Sequence, residues 1–83
     1  MNEEHLKIRN VIRMMSPRRA ILYIKSFGLP EEEETLLIEC DVYRKTYAGL
    51  YSKGYSSKTI KSAKQRAYTN IANELYHAEE IGD

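Results

Sequence analysis

A chain of 83 residues, 42% hydrophobic and 30% charged, has room for one core and reads as a single globular domain rather than a disordered segment. Its one cysteine, Cys40, excludes an intramolecular disulfide framework and suits a reducing compartment, and no apolar run nears the roughly 18 residues of a membrane span. The net charge of +1 excludes a bulk polycation, and the polar start does not read as a signal peptide, so a cytoplasmic protein is expected.

Taken in chain order, Glu3–Met15 has the period of a first helix, with Ile8, Val11, Ile12 and Met15 on one stripe. Ser16-Pro17 restarts the chain as an N-cap followed by a proline at the first helical position. Ala20, Ile21, Ile24 and Phe27 give this second helix an apolar face, and Gly28 is its stop. Leu29-Pro30 opens a third helix whose first turns hold Glu31–Glu34, where the helix dipole favours negative charge. Leu36, Leu37, Cys40 and Tyr43 are its expected buried side; Tyr47 and Leu50 either extend it or follow a break near Arg44–Thr46. After Gly54, Ser56-Ser57 cap a last helix with Ile60, Ala63, Ala67, Ile71 and Leu75 inward. Lys58, Ser62, Gln65, Arg66 and Thr69 face outward, with Lys61 on the flank, and Ile81-Gly82-Asp83 is expected to fray. No run alternates with period two, so the expected class is all-α with four to five short helices.

Charge is strongly segregated along these elements. Six acids crowd into residues 31–41, whereas residues 42–70 carry seven basic side chains and no acid. A stretch of that kind points to one positive surface. Within it, a glycine, a tight turn and a capped helix bearing lysines, hydroxyls and a glutamine fit the second helix of a helix-turn-helix, whose first turns meet base edges in the major groove. The same pattern also fits an ordinary amphipathic helix with a solvated face. Tyr43, Tyr47, Tyr51 and Tyr55 recur every four residues, either as a phenol-edged contact surface or as a half-buried core edge.

Nothing points to catalysis. The adjacent glutamates are explained by the helix dipole, His5 and His77 lie near opposite ends without ligand spacing, and Cys40 falls on an apolar face as a buried thiol. No phosphate-binding glycine loop or nucleophile motif is present, so no enzyme, metal or cofactor is expected.

The order of these features resembles the fourth conserved region of bacterial sigma factors. Leu29-Pro30-Glu31-Glu32-Glu33-Glu34 followed by Leu36-Leu37-Ile38 is similar to its "LPxxE…LL" opening, and Lys45-Thr46-Tyr47 sits where its helix-turn-helix begins. Tyr55-Ser56-Ser57-Lys58-Thr59-Ile60-Lys61 resembles the "(G)VSxxTVxx" turn and recognition helix, and Arg66-Ala67-Tyr68-Thr69-Asn70-Ile71 the closing "RALxKL". Small phage-encoded transcriptional regulators of Gram-positive hosts share this layout, some with an "ECDV…KT…RAY" pattern. The resemblance covers roughly Leu29 to Leu75 and departs at the turn, where Thr46 to Ile60 is about one residue short.

That resemblance implies an N-terminal helical pair over 3–28 and a sigma region-4-like helix-turn-helix over 29–79. It implies a sequence-specific regulator of double-stranded DNA, compatible with a homodimer. Lys58, Lys61, Ser62 and Gln65 would meet bases or nearby phosphates, and Arg44, Lys45, Lys53, Lys64 and Arg66 would hold the backbone, with Thr46 and Tyr47 adding phosphate hydrogen bonds. Two alternatives stand beside it: a module docking on RNA polymerase or a host regulator through the Glu31–Asp41 block and the tyrosines, and a DNA-binding subunit of phage packaging.

Overall fold

A computed structural model describes residues 2–77; the expected fraying of Ile81–Asp83 and the end of the 29–79 unit lie outside them. The described residues form five α-helices and no strand: α1 Glu3–Met14, α2 Pro17–Lys25, α3 Glu31–Leu37, α4 Tyr47–Tyr51 and α5 Ser57–Tyr76. The fold class is all-α. A π-helical turn, Ile38–Val42, continues α3 directly.

Local chemistry accounts for most boundaries. Asn2 caps α1 by accepting from the His5 amide, and Ser56 caps α5 by accepting from the Thr59 amide. Pro17 opens α2 at its first position, but Ser16 makes no side-chain cap bond, a departure from its expected role. Between α3 and α4 the chain breaks rather than continuing. The π turn closes with the Tyr43 amide donating to the Ile38 carbonyl, and Arg44 then takes a left-handed backbone with φ 54°. Thr46 restarts the chain as the cap of α4, accepting from the Gly49 amide.

The turn from α4 to α5 is tied back on α4: the amides of Lys53 and Tyr55 both donate to the Leu50 carbonyl. Gly54 lies in this turn at φ 93°, a conformation that penalises any Cβ. Gly54→Ala is therefore expected to lower stability by about 1–2 kcal/mol, readable as a shifted urea midpoint at unchanged slope. Open space surrounds the position, so backbone conformation and not a clash sets the cost.

Two apolar clusters share α3 as a seam. Leu37 joins Ile8, Ile12, Ala20, Ile24, Ala67, Tyr68, Ile71 and Ala72 in the larger one, uniting α1, α2 and α5. Leu36 and Cys40 join Leu50, Ile60 and Ala63 in the smaller, which seats α4 on the start of α5. Cys40 is buried, as its apolar neighbours suggested, and burial raises its thiol pKa. Three expected core positions are exposed. Tyr43 is 54% exposed because the π turn holds an extra residue, which carries the inward line to Asp41 and Val42 instead. Val11 is 42% exposed on the edge of its stripe, and Leu75 is 46% exposed where α5 runs past its last buried residue, Ala72. The tyrosines do not form one stripe, since α4 holds only Tyr47 and Tyr51; Tyr47 and Tyr55 are half-buried, Tyr43 and Tyr51 exposed.

Candidate nucleic-acid interface

The first turns of α5 project Lys58 and Lys61 into solvent, and neither makes an ion pair among the described residues. Gln65 is also exposed, one turn beyond Lys61, and Ser62 is half-buried. Inward, Ile60, Ala63 and Ala67 are fully buried and fix the rotation of the helix that presents this face. Two depressions flank it. One, about 590 Å³, lies between α5, Tyr47 of α4 and the start of α1. The other, about 380 Å³, is lined by Ser62, Gln65, Arg66, Thr69 and Asn70.

Most other basic residues assigned to a phosphate-holding role are engaged by the acidic block. Glu39 reaches Lys45 at 2.7 Å and Lys53 at 3.3 Å, so one carboxylate ties together the residues before and after α4. The hydrogen bond from Lys45, backed by the one from Lys53, holds the Glu39 carboxyl below its ordinary value near 4.5 despite partial burial, and raises Lys45 in turn. A group whose folded pKa is depressed contributes stability above the unfolded value, lost as pH falls through the folded one. Stability is thus expected to decline as pH falls below about 4.5, and the Glu39→Gln variant, followed by acid titration of circular dichroism, is expected to show a shallower decline.

Arg66 is held by Glu32 at 3.6 Å and by Glu33 at 3.3 Å. The Asn70 amide donates to the other Glu33 oxygen at 2.9 Å. Glu33 is buried, so this member of the four glutamates fastens α3 to α5 in addition to sitting near the helix start. Arg44 donates to the Arg13 carbonyl at 3.4 Å, and the Thr46 hydroxyl is occupied as a helix cap.

Lys64 follows Ile60 by four residues and lies on the inward flank, its amine 3.6 Å from Asp41. Asp41 is the feature sequence reasoning missed. Its side chain is fully buried, accepts a hydrogen bond from the Tyr68 hydroxyl and faces Arg13 at 3.6 Å. Burial, reinforced by the Asp41 charge and that hydrogen bond, raises the Tyr68 pKa far above its usual value, so the phenol stays a donor. One signal was legible: Glu33, Leu37 and Asp41 recur every four residues and share a helix line, with basic and amide side chains spaced likewise on the last helix. His5 is also buried, its ring 5.6 Å from that of Tyr68 and its Nε2 3.3 Å from the Thr69 hydroxyl.

Among the described residues no group of three or more His, Cys, Asp or Glu is placed to hold a metal ion, and no helix is long and apolar enough to cross a membrane. Comparison with protein-family models, with curated proteins and with solved structures finds no match to this chain.

Proposed function

We propose that the protein is a small sequence-specific DNA-binding regulator in which α4, its turn and α5 act as a helix-turn-helix of the sigma region-4 type. The supporting observation is the start of α5: a helix capped by Ser56 that carries Lys58 and Lys61, exposed and without an ion pair among the described residues, with Gln65 on the same outward side. A helix of this kind enters the major groove with its first turns at the base edges. Lysines there meet guanine or phosphate, and a glutamine offers the bidentate contact that adenine accepts. Lys45, Lys53 and Arg66 already have carboxylate partners and Lys64 shares Asp41 with Arg13, so the reading side of α5, not the wider basic stretch, carries the interface.

Heteronuclear NMR titration with duplex DNA at low salt tests this reading. Shifts are expected to centre on Ser57–Gln65, and a duplex that leaves those amides unmoved would end it. Lys61→Gln is expected to reduce the salt slope of binding by about 0.9, the share of one released counterion. Lys45→Gln is expected to change it less, because that amine is already held by Glu39 at 2.7 Å. Gln65→Ala is expected to leave the slope unchanged and to lose about 1–3 kcal/mol on the preferred site only.

A second reading draws on a different surface. Leu6, Val11, Met14 and Leu22 of the N-terminal pair are exposed, as are Tyr43 and Tyr51, which suits docking on a protein partner such as RNA polymerase or a host regulator. Glu32, Glu33, Glu34, Glu39 and Asp41 are engaged within the chain, so such docking would rest on apolar contact more than on the acidic block.

A further inference from the structure

We infer that the cleft between the start of α1 and the flank of α5 is a phosphate-binding site. Its volume of about 590 Å³ falls within the range of small-ligand sites, and three helices contribute to it. The decisive feature is the sign of its lining. Lys61 and Lys64 stand on the α5 wall, with the amide of Gln65 between them and the outward face. Asn2, His5, Tyr47 and Tyr68 close the other sides, and among the described residues no carboxylate lines it.

The wall is rich in donors. The Oδ1 of Asn2 is spent on the His5 amide, which leaves its NH₂ group to donate. Burial raises the pKa of the Tyr47 phenol, which keeps its O–H, and Lys61 has no ion-pair partner among the described residues. Lys64 is the anchored member. It is partly buried, 6.0 Å from the centre of the Tyr68 ring, and its amine is fixed above Asp41. That carboxylate also faces Arg13, so its one negative charge is shared by two cations and is not spent on Lys64 alone. A pre-positioned lysine beside an exposed one, ringed by neutral donors, is chemistry that selects a phosphate oxygen over a neutral ligand.

Two sources could supply that group: the backbone of a DNA strand whose groove holds α5, or a small phosphorylated molecule. The first rests on the DNA-binding reading; the second does not. Pyrophosphate is the probe, titrated into labelled full-length protein at low salt and followed at His5, Tyr47, Lys61, Lys64 and Gln65. Saturable shifts at these positions are expected, and Lys61→Gln is expected to weaken them about tenfold, the share of one charge-assisted hydrogen bond. Lys7→Gln, a neutralisation of an exposed lysine outside the cleft, should leave them unchanged. Duplex DNA is then added to the saturated protein. Displacement of pyrophosphate assigns the cleft to a strand phosphate, and joint binding assigns it to a small ligand. Should the duplex leave Ser57–Gln65 unmoved while pyrophosphate still shifts the cleft, the DNA reading falls and the phosphate site stands. Shifts spread over the exposed lysines and arginines at large, or insensitive to Lys61→Gln, would overturn the site itself.

Discussion

Ile71→Ala is expected to lower the unfolding free energy by about 2–5 kcal/mol, and Leu75→Ala, four residues on, by under about 0.5 kcal/mol. Both positions follow from one apolar spacing, but Ile71 is fully buried in the larger cluster and Leu75 is 46% exposed. Removing three carbons from Ile71 forfeits their transfer free energy and leaves a void that Ile8, Ile12 and Leu37 can only partly refill. A domain of this size is marginally stable, so the first change takes a large share of the total. Ile60→Ala should act on the same scale through the smaller cluster, and because Ile60 seats α4 against α5, it should also loosen the turn between them. Urea denaturation monitored by circular dichroism separates these outcomes. Equal midpoints for the Ile71 and Leu75 variants would mean that α5 is rotated from the orientation described.

Asp41→Leu is expected to cost about 3 kcal/mol, the lower end of the loss on breaking a buried ion pair. The carboxylate is fully buried, and its removal strands the Tyr68 hydroxyl inside the core and leaves Arg13 and Lys64 facing an apolar group. Both cations retain some solvent contact, which holds the figure below that of a sealed pair. Tyr68→Phe should cost less, about 1–3 kcal/mol, since it removes one hydrogen bond and leaves the ion pairs. The double variant should fall short of the summed single losses, because the two groups share one interaction, and a double-mutant cycle by urea denaturation measures the difference. Strict additivity would indicate that phenol and carboxylate act independently.

The sequence by itself determined the all-helical class, the first, second and last helices, the Ser56 cap and most of the inward faces. Those features depend on residues within about four positions of one another, which is the range that helical period and capping chemistry report. Pro17, Gly28, Ser56 and the stripe from Ile60 to Ile71 were legible for that reason, and so was the exposure of Lys58, Lys61 and Gln65 on the side away from Ile60. Only the tertiary structure decided which cations remain free. The bonds from Tyr68 to Asp41, Arg66 to Glu33 and Asn70 to Glu33 join residues 27, 33 and 37 positions apart, and depend on how α3 lies against α5. Packing thus turned an apparent 29-residue positive surface into a short face on α5 that is unpaired among the described residues, with much of the remaining basic charge held against the acidic block. The π turn had the same origin. An extra residue in one helical turn leaves no mark on local composition, yet it turned Tyr43 outward.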